Sequence, residues 1–423
     1  MIMRGDLAGR TRLGPDRGGP VPDRAPRRAT RSAAGGGLGT WLAWTGFRHR
    51  VSIMQAVALE VARPRRDVGR VVDLLLWGAT IVSALLAALS HYGGASAVLQ
   101  FFTTLGAITL ASAVLGRSLD QLGGRMRPAA IGTFQAVVGN LPELIICIFA
   151  LRAGLVTVVQ AALIGSVLNL LLLGNGLAYL SGGLRNGTMT IDGRHAKVTR
   201  VMLVLLMATL ITPAIAVNLG TPAAQHTNAV SYVVAVALLT VFLVSLPFRL
   251  GKGADAPPPV HNGTGEAKVG TWPLPRVLIL VAAAGLLIAI EADWLTQALL
   301  PATEAMNLNA AFVGLFLVAT VGNLSQLAPA VQLSLRGDAD TATAITMEGA
   351  LQVALMLAPV LTLIAPLLGA GEFTLIFPPL QIVAVIVAAL LVVFVTIDGT
   401  VNHLEGLALV ALYTVLGSLF WWG

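Results

Sequence analysis

From Arg70 onwards this chain is a succession of apolar segments, and that succession constrains its fold more than any other feature. A bilayer's hydrocarbon core is about 30 Å thick and takes about 20 helical residues to cross. Eleven stretches reach that length: 71–90, 97–116, 129–151, 155–180, 199–217, 229–248, 275–298, 309–335, 341–368, 373–396 and 404–422. Lipid offers a backbone no hydrogen-bond partners, so each stretch has to satisfy its own N–H and C=O groups as a helix. The expected fold class is an all-α integral membrane protein with about eleven transmembrane helices. Only 11% of the 423 residues are charged, against about a quarter in a soluble chain.

Charge sets the orientation. The net charge of +7 is no nucleic-acid signal, because 14 of the 27 Lys and Arg residues lie before residue 71 and most others lie between apolar runs. With the Arg-rich start inside, twelve basic residues from Arg117 to Arg336 fall in inside loops and one, Arg152, falls outside. Positive loops stay cytoplasmic. The N terminus is therefore expected in the cytoplasm and the C terminus outside it, with the chain in the cell (inner) membrane. Residues 1–69 read as an Arg-, Gly- and Pro-rich disordered segment in which no apolar stretch marks a signal peptide. Met54 offers a later start of translation. The single cysteine, Cys147, excludes an internal disulfide framework and reads as a packing residue.

An internal echo divides the rest. A shift of 183 residues lays Gly139-Asn140-Leu141 on Gly322-Asn323-Leu324, Leu144 on Leu327, Gly154 on Gly337 and Asn169 on Gln352. Each GN segment falls in the second helix of a block of five. The expected organisation is a leading helix at 70–96, a first five-helix repeat at 97–248, a Pro/Gly-rich cytoplasmic linker at 249–274 and a second five-helix repeat at 275–423. Five is odd, so the two repeats insert with opposite polarity, and an inverted repeat builds its central site from both halves.

Glu143 lies inside helix 129–151, where an ionisable group is a functional hypothesis by default. Pro142 beside it removes a backbone donor, and its ring clashes with the carbonyl of Val138. A kink is predicted there, freeing carbonyl oxygens next to the carboxylate, and hard cations are bound by such oxygens. Ser166 and Asn169, three apart on one face of the next helix, add a hydroxyl and an amide. In the second half Asn323 and Gln326 recur without the acid, while Glu348 and Gln352 stand four apart on the following helix. The expected cation- and proton-binding set is Glu143, Glu348, Gln326, Asn140, Asn323, Ser166, Asn169 and Gln352. Glu143 and Glu348 are its metal-binding carboxylates, the second acid having moved from position 326 to helix 341–368. Amides in membrane helices also serve as interhelical hydrogen-bond glue, so Glu143 carries the most weight. Glu291 and Asp293 lie near the outer end of helix 275–298, where charges guard an ion's way in or gate it. With no His pair at ligand spacing, serine elbow or phosphate-binding loop, neither a resident cofactor nor an enzyme activity is expected.

These motifs resemble the calcium/proton exchanger family of the calcium/cation antiporter superfamily. Its signatures run approximately G-N-A-x-E-L-I followed by G-S-I-L, and G-N-A-x-E-H followed by G-S-S-x-Q-I-A-L. Here the first reads Gly139-Asn140-Leu141-Pro142-Glu143-Leu144-Ile145, then Ile164-Gly165-Ser166-Val167-Leu168. The second reads Gly322-Asn323-Leu324-Ser325-Gln326-Leu327, then Glu348-Gly349-Ala350-Leu351-Gln352-Val353-Ala354-Leu355. Gln326 and Leu327 stand where the family has Glu and His, and Gly349 where it has Ser. The resemblance spans roughly 97–422 and implies ten core helices in two inverted repeats, with Asn140, Asn323, Ser166 and Gln352 around the ion-binding Glu143. It implies secondary active antiport, foremost Ca2+ exported in exchange for H+. A Na+/H+ exchanger is the first alternative, since losing a carboxylate weakens divalent binding; a degenerate cation-binding homologue that does not transport is the second. Exchange would rest on competition: a buried carboxylate holds a proton or a bound cation, not both. Membrane lipid, inorganic cations and protons are the expected partners, and the oligomeric state is not legible.

Overall fold

A computed structural model describes residues 66–123, 139–191, 193–249, 272–370 and 372–422. Residues 1–65 of the expected disordered segment, positions 129–138 of helix 129–151 and residues 250–271 of the linker lie outside the described residues. In chain order the helices are α1 (Arg66–Tyr92), α2 (Ala97–Gly123), α3 (Leu141–Arg152), α4 (Val156–Asn186), α5 (Gly193–Asn218) and α6 (Thr227–Arg249). They continue with α7 (Leu274–Ala305), α8 (Ala310–Gly322), α9 (Leu324–Leu335), α10 (Ala339–Leu368), α11 (Pro379–Val395) and α12 (His403–Trp422). Among the described residues eight of these are long and apolar enough to cross a membrane, and nine if α8 and α9, bent by 59°, form one span. The architecture is an all-α, multi-pass membrane fold.

Two segments depart from the sequence expectation. Helix α7 runs on to Ala305 instead of stopping at 298, and it carries Pro301 inside its last turns. Helix α11 starts at Pro379 rather than 373, because Pro378 holds an extended backbone (φ −55°, ψ 143°) that a following proline favours. The residues before it keep Phe373, Leu375 and Phe377 buried without forming a helix. Their backbone is satisfied from other elements: Leu375 N–H donates to Ser231 Oγ (3.1 Å), and Gln160 Nε2 donates to the Thr374 carbonyl (2.9 Å). A short apolar run does not reveal its period, and here long-range partners decided its conformation.

The interior is built on α4 and α10, which are buried on nearly every side, as helices enclosed by others must be. Helix α4 crosses α8 at Gly165, where a Cβ would sit 2.1 Å from the Leu315 carbonyl oxygen, so only glycine permits the approach. Helix α1 lies at the periphery, with Leu74, Leu75, Leu85 and Leu89 exposed as a lipid-facing helix requires. Its start is tied down by an Asp73–Arg117 ion pair and by Arg276, whose guanidinium lies over both Trp77 and Trp272. Its end is held by His91 stacked on Trp294.

One end of the bundle gathers three loops. The short strands β1 (Met189–Thr190) and β2 (Thr400–Val401) pair antiparallel, Met189 opposite Val401. Asn186 Nδ2 donates to the Ser334 carbonyl (3.0 Å), bringing the end of α9 to the end of α4.

Candidate functional site

The site grows from two helix breaks with the same backbone. At Asn140 φ and ψ are −97° and 11°; at Asn323 they are −94° and 0°. Each carbonyl then accepts from the leucine four residues on, Leu144 at 2.9 Å and Leu327 at 3.0 Å. Each break is followed by a twelve-residue helix, α3 or α9. Past their ends stand Gly154 (φ 77°) and Gly337 (φ 86°), both in the left-handed region that favours glycine. All of these positions are related by the 183-residue shift. Pro142 has Ser325 as its counterpart, so the second break forms without a proline. What caps that break is the asparagine: Asn323 Nδ2 donates to the Ala319 carbonyl (2.8 Å), which its own N–H also reaches (3.1 Å).

The same shift relates two further irregularities. Residues Asn169–Gly174 of α4 and Val353–Leu357 of α10 are π-helical, and a third π-helical stretch, Val313–Val318, lies in α8. A π turn carries one extra residue and leaves a backbone group without its usual helical partner, and such turns cluster at functional sites. Asn175 answers this in α4: its Nδ2 donates to the Leu171 carbonyl (3.0 Å) while its Oδ1 accepts from Thr346 (2.6 Å). Both its ends are bonded, so Asn175 is glue between α4 and α10.

Into this frame the sequence sets one acid. Glu143, at the start of α3, is 5% exposed; one carboxylate oxygen accepts from Ser166 Oγ on α4 and the other, Oε2, is buried without a partner. Gly322 of the opposite break lies against it, 4.0 Å separating the Glu143 Cβ from where a Cβ of residue 322 would stand. Asn323 Oδ1 and Asn169 Oδ1 are likewise buried acceptors without donors. Asn169 turns its Nδ2 to Thr320 Oγ1 (2.8 Å) and to the Tyr413 hydroxyl (3.1 Å). Buried acceptors left without donors are what a cation with oxygen ligands would satisfy. No cluster of three or more His, Cys, Asp or Glu side chains suited to a metal occurs among the described residues. The oxygens gathered around Glu143 are those of the Ser166 hydroxyl and of the Asn169 and Asn323 amides.

The second half contributes amides. Gln326 Nε2 donates to Asn140 Oδ1 (3.1 Å), and Asn140 Nδ2 donates to Gln352 Oε1 (3.0 Å). This directional chain joins α9, the first break and α10. Gln326 Oε1 lies over Gly349, where a Cβ would come within 1.9 Å of it. Glycine at 349 and glutamine at 326 therefore go together.

Not every predicted residue meets the others. Glu348 is half-buried and faces α5, with Thr199 Oγ1 3.5 Å from its Oε1; Glu143 is answered by Ser166 instead. Asp293 is exposed, with Gln297 Nε2 2.8 Å away, whereas Glu291 is fully enclosed. Because α7 runs on to Ala305, Glu291 lies mid-helix and not at the end. Thr320 and Tyr413 escaped the sequence reading. Thr320 could have been found as the hydroxyl three residues before Asn323, but nothing in the spacing connects Tyr413 to it.

Known proteins bear on this geometry. The sodium/calcium exchanger protein family matches residues 96–251 and 276–422. A Ca(2+)/H(+) antiporter of Synechocystis sp. is 31% identical over 351 residues, covering 78% of this chain and 93% of that protein. The vacuolar calcium ion transporter of Schizosaccharomyces pombe is 30% identical over 328 residues, 76% and 79% of the two chains. Among solved structures, native YfkE superposes with a TM-score of 0.71 at 24% identity, covering 82% of this chain and all of that one. The H+/Ca2+ exchanger CAX gives 0.62 at 14% identity over 82% and 91%. At such identities the structural likeness speaks for the fold.

Proposed function

The chain belongs to the sodium/calcium exchanger protein family, and from that premise we propose that it is a secondary active cation/proton antiporter, exporting Ca2+ in exchange for H+. One observation carries the reading: Glu143, buried at a helix break, has one oxygen held by Ser166 and the other unanswered beside the second break. A carboxylate so placed binds a proton or shares a cation with neighbouring oxygens, and the two occupants exclude each other. Ser166 holds the carboxylate in position, Asn169 and Asn323 present amide oxygens, and the Gln326–Asn140–Gln352 chain ties the halves together. Glu348, one turn from Gln352 but turned to Thr199, serves the approach to the site and not its floor.

The finer architecture is part of this proposal. We infer eleven transmembrane helices: α1 leading, then two inverted repeats beginning at α2 and α7, joined by the cytoplasmic linker 249–274. The matched breaks, glycines and π-helical turns support the duplication, and the loops gathered at one end by β1, β2 and Asn186 support the parity of the helices. The basic loops make that end cytoplasmic. The N terminus is then inside and the C terminus outside.

A Na+/H+ exchanger is favoured by one observation, the amide of Gln326 where a second acid would stand. Purified protein in liposomes with a pH-sensitive dye distinguishes the readings when challenged in turn with Ca2+, Na+ and K+. Proton movement on Ca2+ addition is the expected result; movement only with Na+ establishes the alternative, and none with any ion marks a cation binder that does not transport.

A further inference from the structure

Glu291 is the one fully buried carboxylate, among the described residues, that the site around Glu143 does not use. It is 0% exposed, and neither oxygen has a hydrogen-bond partner. It lies where α7 packs along α2. On one side of it Ile288 and Ala284 cluster with Ala111 and Leu115; on the other Ala292 and Leu295 cluster with Phe101 and Ile108. The shift of 183 residues sets Ile108 opposite Glu291, so neither the repeat nor the packing calls for an acid here.

Among the described residues no counter-charge meets it. From α2 the ionisable groups are Arg117, paired with Asp73 of α1, and Asp120, whose side chain lies outside the described residues. From α3 they are Glu143, Cys147 and Arg152. Leu141 and Ile145 of α3 join the cluster with Ile288, whereas Glu143, two residues from each and so on the other side of the helix, is held by Ser166 of α4. Arg152 is exposed at the end of α3, and α8 has no ionisable residue. His91 of α1 stacks on Trp294, one turn further along α7, beside Tyr92, and on α7 itself Arg276, Asp293 and Glu304 point elsewhere or lie at the ends. An isolated charge buried among apolar side chains is strongly disfavoured. The pocket houses the neutral acid.

We propose that Glu291 is a second proton carrier of the transport cycle, giving up its proton when α2 and α7 shift and open their contact to water. The inference rests on the antiporter reading above. Its chemistry is simple: the carboxylic acid O–H breaks, the proton leaves to water on one side, and another is taken up from the other side. Gln326 cannot titrate, so the cation site itself exchanges a single proton, on Glu143. With Glu291 taking part, one Ca2+ is balanced by two protons and the exchange moves no net charge.

The test is made on the full-length protein reconstituted in liposomes, with Ca2+ flux, proton flux and the Ca2+-loaded-minus-Ca2+-free infrared difference spectrum recorded together. Wild type is expected to move two protons per Ca2+ without responding to membrane voltage, and to lose two carboxylic-acid C=O bands on loading. Glu291→Gln should halve the ratio, make transport voltage-sensitive and remove one band. An unchanged ratio in Glu291→Gln, or a single lost band in wild type, overturns the proposal; the wild-type band count decides even if the variant does not transport. Failure of the antiporter reading looks different, because wild type then moves no protons on Ca2+ addition.

Discussion

Helices α3 and α9 share a length, a break and a terminating glycine, yet they face the centre of the protein with different chemistry. The first offers Glu143, gripped at one oxygen and open at the other; the second offers Gln326, whose amide is spent on Asn140 and packed on Gly349. The backbone is the same at both breaks, and the side chains set on it differ. In the proposed antiporter one half holds the exchangeable charge. The other holds the geometry, because an amide keeps its hydrogen bonds at any pH while a carboxylate changes its bonding with each proton.

That division can be broken most sharply at the acid. Glu143→Gln should reduce Ca2+-dependent proton flux in liposomes to the protein-free background, while Gln326→Ala should leave measurable exchange; equal losses would show that the halves are not specialised. Making the second half acidic is the next largest change. Gln326→Glu loses the donor to Asn140 and adds a second carboxylate, and the preference for Ca2+ over Na+ in paired flux assays should rise by about tenfold, the equivalent of about 1.4 kcal/mol. Glu348→Gln should slow exchange only a few-fold at low Ca2+ and leave the saturated rate intact; complete loss would return Glu348 to the floor of the site. The smallest effect tests the cause of the breaks. Pro142→Ala should leave flux within about twofold of wild type, because Ser325 permits the same break, whereas Asn323→Leu removes the hydrogen bond to the Ala319 carbonyl, worth about 1 kcal/mol, and should lower the melting temperature in detergent.

A related contrast separates the two buried acids. Glu143 sits among polar neighbours, at a break both halves share; Glu291 sits among apolar ones, at a position whose repeat mate is Ile108. A polar neighbourhood suits a site whose occupant alternates between proton and metal. An apolar one suits a site that carries a proton alone.

Much of this was legible in the residues. Apolar run lengths predict most of the helices, though not the start of α11 or the end of α7, and the 183-residue echo picks out Asn140 and Asn323, whose dihedrals match. Glu143 stood out because a charge within an apolar run is costly, and Ser166 followed from its place on the adjoining helix. A local rule assigns the break to Pro142; its twin at Asn323 forms without proline, so proline is not the cause common to both. Glu348 and Gln352 were expected to act together because they are one turn apart, yet α10 is enclosed on several sides and turns one to α5 and the other to Asn140.

The sequence by itself determined that this chain crosses a membrane many times, that a motif recurs 183 residues on and that an acid lies within an apolar segment. Those properties follow from local quantities: segment hydropathy, loop charge and the recurrence of a motif at fixed distance. Only the tertiary structure decided which polar groups meet, because contacts such as Asn140 with Gln352 or Asn169 with Tyr413 join residues more than 200 positions apart. It also decided that Glu291 is enclosed instead of standing at a helix end. Burial depends on which helix packs alongside, and no spacing within a single helix records its neighbour.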